Sequence, residues 1–331
     1  MTGDLPDLIF DQKDSGSFSD TAIRIFKFQS DNNPVYGHFI SSLGRTVSGI
    51  KNICDIPFLP VEFFKSQTVA IENQSFETVF ESSRTTGDTP GRHFIHDLKL
   101  YEKSFQNSFR YFYGDPSEYF MAALLPSYNE RQNSSLIYMM NGLIKESRNR
   151  NSGFYDNNPE DLIRTIQMAK DSGQKRLLLG VSFALLDLAR NYSPDLSGTI
   201  VMETGGMKGR RKEITREELH EILKSKLNLQ SIHSEYGMTE LLSQAYSMGN
   251  GIFHCPPWMK ILIRDPQDPL TVTDEQGRTG GINIIDLANI YSCSFIATGD
   301  FGKLHENGSF TVSGRFDNSD IRGCNLMSGP A

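Results

Sequence analysis

Arg176-Leu177-Leu178-Leu179-Gly180-Val181-Ser182-Phe183-Ala184-Leu185-Leu186-Asp187-Leu188-Ala189 decides the fold class. An apolar run, Arg176 to Leu179, stops at a glycine, and a segment of helical apolar period follows from Phe183 to Ala189. A short buried strand turning directly into a helix is the unit from which parallel sheets are built. Working outward, Tyr119 to Leu125 reads as a strand ended by Pro126, Leu136 to Met140 as another, and Thr199 to Met202 as one more, closing on Thr204-Gly205-Gly206. Residues 12–20 and 147–158, rich in Ser, Asn, Asp and Gly, read as surface loops. Thr215 is placed to cap a helix, with Glu218 three residues on to complete a capping box. Leu219, Ile222 and Leu223 then share one helix face. After about residue 250 the pattern changes to short β-like runs at Ile261–Ile263, Gly281–Ile285, Ser294–Ala297 and Ser309–Val312, separated by Asp, Gly and Pro turns. The expectation is an α/β protein forming one domain over 1–331, with an α/β part (about 1–250) and a β-rich part (251–331).

The chain has 331 residues, 38% hydrophobic and 22% charged, a globular composition. Its net charge of -7, with no basic tract beyond Arg210-Arg211-Lys212, excludes nucleic acid as the main partner. No run of about 18 apolar residues exists to span a membrane. The polar, acidic start Met1–Asp11 does not read as a signal peptide. Cys54, Cys255, Cys293 and Cys324 lie far apart, which argues against a zinc site or a disulfide framework. The expectation is a reducing, cytoplasmic setting.

Three stretches carry chemistry. In Ser82-Ser83-Arg84-Thr85-Thr86-Gly87-Asp88-Thr89-Pro90-Gly91-Arg92, small hydroxyl residues and glycine suit an anion-binding backbone nest, and Arg92 adds a charge for a phosphate. The Walker pattern is absent. Tyr236-Gly237-Met238-Thr239-Glu240 is a glycine turn followed by an N-cap type residue and an acid. Thr298-Gly299-Asp300, with Gly314-Arg315-Phe316-Asp317 downstream, sets an aspartate on a tight turn where it can accept both hydroxyls of a ribose.

Each is a common sequence by itself. Together and in this order they resemble the adenylate-forming (ANL) superfamily of acyl-CoA synthetases, luciferases and nonribosomal adenylation domains. Within it the chain is similar to the acyl-protein synthetase (LuxE-type) family, the ATP-dependent component of a fatty acid reductase complex. That similarity is carried by Ile56-Pro57-Phe58-Leu59-Pro60 with Phe64-Lys65, Leu125-Pro126-Ser127-Tyr128, Glu203-Thr204-Gly205-Gly206-Met207-Lys208-Gly209-Arg210 and Arg322-Gly323-Cys324-Asn325-Leu326. The resemblance implies an ANL-type N-terminal adenylating domain, mostly parallel sheets layered with helices, plus a small β-barrel-like subdomain. It implies ATP and Mg2+, a fatty acid substrate, and an acyl-accepting protein such as a reductase or carrier. Residue by residue, Ser82, Ser83, Thr85, Thr86, Gly87 and Arg92 would surround the ATP phosphates. Thr239 and Glu240 would sit by the α-phosphate and the metal, Glu240 as ligand, with Gly237 in the turn and Tyr236 near the adenine. Asp300 would hold the ribose, Arg315 would complete the nucleotide site, and Cys324 would take the acyl group.

Two departures qualify this. Arg84 replaces the loop glycine, and Asp88-Thr89 lengthens the gap by one residue. Full-length relatives also continue into a lid domain of about 100 residues bearing a lysine, a normal small-domain size; here only residues 324–331 follow Gly323, so no lid is expected. Two further readings fit the same residues: an acyl-CoA or carrier-protein ligase that does not use Cys324, and a non-catalytic nucleotide-binding subunit of a reductase complex. Cys255 is a weaker acyl-acceptor candidate, and His93 and His233 read as structural or nucleotide-adjacent.

Overall fold

Strands covered on both faces carry unbroken apolar runs, because neither side meets water. In the computed structural model, which describes residues 5–82, 89–125, 133–156, 158–205 and 214–315, Tyr119–Leu124 is buried at every position. The chain starts with helices α1 (Leu5–Leu8), α2 (Ser15–Asn32) and α3 (Pro34–Ser42), strand β1 (Leu59–Pro60) and helix α4 (Phe63–Ser66). A hairpin follows, β2 (Thr78–Glu81) with β3 (Arg92–Ile95), then α5 (Leu98–Tyr113), β4 (Tyr119–Leu124), α6 (Ser135–Ser147) and β5 (Gly153–Phe154). Next come α7 (Pro159–Asp171), β6 (Lys175–Val181), α8 (Ser182–Asn191), β7 (Ile200–Thr204), α9 (Arg216–Leu227), β8 (His233–Tyr236) and β9 (Ala245–Ser247). The late strands are β10 (Met259–Arg264), β11 (Val272–Thr273), β12 (Thr279–Asp286), β13 (Phe295–Leu304) and β14 (Phe310–Arg315).

The first large sheet has the order β5-β4-β6-β7-β8-β9, parallel except for the β8–β9 pair. Strand alternation sends Leu178 and Val201 to the face covered by α7, α8 and α9, and Leu177, Leu179 and Met202 to the core shared with the second sheet. Truncating one such core leucine to alanine costs about 2–5 kcal/mol. The second sheet is antiparallel along β13-β12-β10-β11. The opposite edge of β13 is shared: its first residues pair in parallel with β1 (Leu59 with Ile296), its last with β14. No described helix is long and apolar enough to cross a membrane.

Three expectations are corrected. Residues 12–20 are not a loop: Asp14 caps α2 by accepting from Ser17 N at 2.8 Å, and the small polar residues form its first turns. Leu136 to Met140 is the interior of α6, started by Ser134, because a five-residue apolar run fits a buried helix as well as a strand. Thr298-Gly299-Asp300 lies within β13, at an irregularity in the ladder and not on a turn. The Thr215 cap forms as expected, with Glu218 N donating to Thr215 Oγ1 at 3.1 Å.

Candidate active site

β8 ends at Tyr236, and the chain reverses through Met238-Thr239-Glu240-Leu241, where Leu241 N donates to Met238 O at 3.1 Å. Thr239 is therefore in a turn between strands and caps no helix. Asp286, at the end of β12, braces the segment that follows. Its carboxylate accepts from Leu242 N (2.8 Å), Ser243 N (3.0 Å), Ser243 Oγ (2.6 Å) and Ala288 N (3.1 Å). Burial pushes Asp286 above the usual carboxylate range, and these four donors pull against it.

Glu240 is buried, and burial raises its carboxyl to about 6, against the opposing charges of Lys65 and Arg315. Its side chain occupies a notch that only glycine leaves open: a Cβ on Gly91 would lie 2.3 Å from Glu240 Oε1. Gly91 also pairs with Ser82 across the neck of the hydroxyl-rich segment. Ser82 N donates to Gly91 O at 2.9 Å, and Gly91 N donates to Ser82 Oγ at 2.8 Å.

Two residues along β3, His93 is fully buried. Its Nδ1 lies 2.8 Å from Thr239 O and its Nε2 3.0 Å from Asn289 Oδ1. Burial pulls the ring down to about 4, while two facing oxygens favour the protonated form. Asn289 Nδ2 donates to Glu240 O at 2.8 Å and to Cys293 O at 2.9 Å.

Tyr236 Oη donates to Asp300 Oδ2 at 2.7 Å, and its ring packs edge-on against Phe310, with centroids 5.4 Å apart. Burial, then the neighbouring Asp300 charge, pushes the phenol well above its usual range. Asp300 reaches this place through a bulge. Asn283 pairs with Ala297 and Gly281 with Phe301, so β13 uses four steps where β12 uses two, and residues 298–300 stand out of the ladder. Arg315 lies opposite Asp300 on β14, its Nε 3.9 Å from Asp300 Oδ1, with 86% of its side chain exposed.

On the reverse face of β8, Glu235 is buried and accepts from the Thr204 hydroxyl; burial raises its carboxyl to about 7. Gly237 leaves room for it, since a Cβ there would lie 2.3 Å from Glu235 Oε1. Beside it Glu203 faces Arg216 Nε at 3.2 Å and His220 Nε2 at 3.6 Å. Burial would raise Glu203, but His220, Arg216 and Ser234 outweigh it and hold the carboxyl below the usual range.

The structure thus brings together Ser82, Thr239 and Glu240 at the loop neck, and Tyr236, Asp300 and Arg315 beside the bulge. Arg92 stands on the outer face of the hairpin, its guanidinium 5.5 Å from the Phe94 ring centroid. His233 pairs with the Tyr113 hydroxyl at 3.2 Å, away from this cluster. Burial pushes the Cys255 thiol well up and the Cys293 thiol up to about 12, so both stay protonated. Ser83, Thr85, Thr86, Gly87 and Cys324 lie outside the described residues. Sequence reasoning missed Asn289, the partner of His93, and Asp286, and gave Lys65 no site role although Phe64-Lys65 is one of the stretches that carry the resemblance. Neither Asn289 nor Asp286 carries a motif, and His93 meets Asn289 across 196 residues of chain.

The donor set suits a hard cation: Glu240 offers carboxylate oxygens in a protected notch, with the Thr239 hydroxyl next to it in the turn. No protein-family model and no curated protein matches the sequence. Among solved structures, ATP-bound MatB from Rhodopseudomonas palustris is similar at 15% identity with a TM-score of 0.54, covering 74% of this chain and 49% of that one. An ATP-bound RpMatB-BxBclM chimera is similar at 14% identity with a TM-score of 0.53, covering 72% of this chain and 48% of that one. The chain spans about half the length of the solved structures it matches. Over the matched portion it shares the fold of those structures, an α/β layer joined to a curled half-barrel sheet.

Proposed function

We propose that the protein activates a carboxylic acid with ATP as an acyl-adenylate and passes the acyl group to a protein thiol, with Cys324 as the first acceptor. One observation carries the reading. On this fold, Arg315 pairs with the Tyr236-bonded Asp300 and its charge also acts on the glycine-notched Glu240 carboxylate, at the neck of a hydroxyl-rich segment. ATP in the similar MatB structure supports the choice of nucleotide.

In the first step an oxygen of the substrate carboxylate attacks the α-phosphorus of ATP. A new O–P bond forms, the bond to pyrophosphate breaks, and pyrophosphate leaves with its electron pair. Bound Mg2+, with Glu240 as ligand, supplies neutralisation of phosphate charge. Asp300 accepts the ribose hydroxyls, its carboxylate oriented by Tyr236 Oη, while Arg315 adds positive charge at the rim. Ser82 and the hydroxyls that follow it surround the phosphates. In the second step the Cys324 thiolate attacks the acyl carbonyl, the bond to the phosphate oxygen breaks, AMP leaves, and a thioester remains. The acid is read as a fatty acid and the final acceptor as a reductase or carrier protein, in a cytoplasmic setting.

The test is incubation of the purified protein with Mg2+, ATP and carboxylic acids of graded length, with pyrophosphate and intact protein mass read from the same samples. The expected result is acid-dependent pyrophosphate release and a hydroxylamine-labile acyl mass that Cys324→Ser loses. Release without an adduct rejects the thiol step in favour of a CoA or carrier ligase. ATP binding without release for any acid rejects the adenylating reading.

A further inference from the structure

Gly91 stands just before β3 and His93 is the second residue of that strand, and both touch the same turn. Gly91 admits the Glu240 side chain; His93 reaches the Thr239 carbonyl. A carbonyl oxygen only accepts, so in the 2.8 Å contact His93 Nδ1 is the donor and Nε2 is left without a hydrogen. Behind it, the Asn289 amide has one orientation: its Nδ2 faces two carbonyls, Glu240 O and Cys293 O, which fixes Oδ1 toward His93 Nε2. The carbonyls of Thr239 and Glu240 are therefore held in succession, one by each member of the pair. The Phe64 ring of α4 meets the imidazole edge-on, with centroids 5.7 Å apart and planes at 90°, and fixes its tilt. The outward neighbours Arg92 and Phe94 stack on each other and take no part. A residue that merely filled this space would be apolar; His93 is buried, and as a neutral ring it has a single N–H, which the shorter contact, 2.8 Å to Thr239 O against 3.0 Å to Asn289 Oδ1, assigns to Nδ1.

We propose that His93, backed by Asn289, is a positioning residue that docks the Ser82–Gly91 neck onto the Thr239–Glu240 turn, so that the neck and the metal-facing carboxylate keep one register. This rests on the adenylating reading above. Without the dock, Glu240 would keep its chemistry but lose its register against the neck, and magnesium-dependent turnover would suffer more than nucleotide binding.

The experiment compares His93→Phe, His93→Gln and Asn289→Asp with the wild-type protein. Deuterium uptake is followed over residues 236–245 by mass spectrometry, alongside acid-dependent pyrophosphate exchange at varied ATP and Mg2+. His93→Phe fills the space without a donor; faster uptake is expected, with kcat down and half-saturating Mg2+ up about tenfold, and the ATP KM changed by less than about threefold. His93→Gln returns an N–H toward Thr239 O and restores most of the wild-type uptake and Mg2+ requirement. Asn289→Asp sets an oxygen against Glu240 O and reproduces the His93→Phe behaviour. Unchanged uptake in both His93→Phe and Asn289→Asp overturns the docking, as does a Gln variant no better than Phe. A wild-type protein that exchanges no pyrophosphate with any acid sinks the adenylating reading instead, while the uptake comparison still decides the dock.

Discussion

Tyr236 and Asp300 stand 64 residues apart in sequence and meet through a 2.7 Å bond from phenol to carboxylate. The bond joins the end of the parallel sheet to the bulge of the antiparallel one, so the carboxylate offered to a ribose is aimed by a residue from the other sheet. Tyr236→Phe keeps the packing against Phe253 and Phe310 and removes only that donor. A hydrogen bond to a charged group is worth about 1.5–3 kcal/mol, so the ATP KM should rise at least tenfold with little change in kcat. Titration of pyrophosphate exchange with ATP checks this; an unchanged KM would remove Asp300 from the nucleotide site.

Glu240 titrates at about 6 in the fold, above its ordinary 4.5. Below 4.5 the carboxyl is protonated in both folded and unfolded chains and contributes no difference. Between 4.5 and about 6 the unfolded chain ionises first, so stability falls as pH rises, by about 2 kcal/mol in all. Glu240→Gln should therefore stabilise the protein by about 2 kcal/mol at pH 7.5 and hardly at all at pH 4, while abolishing magnesium-dependent exchange. Urea unfolding at the two pH values checks the first claim. Wild-type activity should fall as pH drops through about 6.

Gly91→Ala places a Cβ 2.3 Å from Glu240 Oε1. Exchange should fall by at least about tenfold as the carboxylate is displaced. Glu240→Asp, shorter by one methylene, makes room, so the double variant should be more stable than Gly91→Ala alone. Melting temperatures of the four proteins in the cycle decide it; additive shifts would show that the two residues do not meet.

Asp286→Ala leaves three N–H groups and one hydroxyl buried without their acceptor. The expected loss is at least about 3 kcal/mol, read from the urea midpoint. A loss below about 1 kcal/mol would mean that the brace behind the Glu240 turn is not formed.

What was legible in the sequence follows from what local pattern can encode. The runs at Tyr119–Leu124, Lys175–Val181 and Ile200–Thr204 announce themselves because both of their faces are covered. The Leu136–Met140 run misleads for another reason, since a run that short holds no period to separate helix from strand. Asp14 and its serines read as a loop in sequence because cap residues and loop residues are the same types. At the site, Tyr236, Glu240 and Asp300 were visible through their motifs. Asn289 and Asp286 were invisible: their function is to accept or donate to backbone groups some 40 to 50 residues away, and backbone contacts leave no sequence signature.

The pairing of Leu59 with Ile296 sets an order of assembly. On a ribosome β1 emerges early, but its partner strand is made roughly 10–50 s later at ordinary elongation rates. Until then α2 also lacks the buried contacts of Gln29 with Asn289 and Ile290. The opening segment must therefore wait, unpartnered and accessible to chaperones, while the parallel sheet forms behind it. Substitutions at Leu59 or Gln29 should thus reduce the yield of native protein made in cells more than they shift the melting temperature of the molecules that do fold.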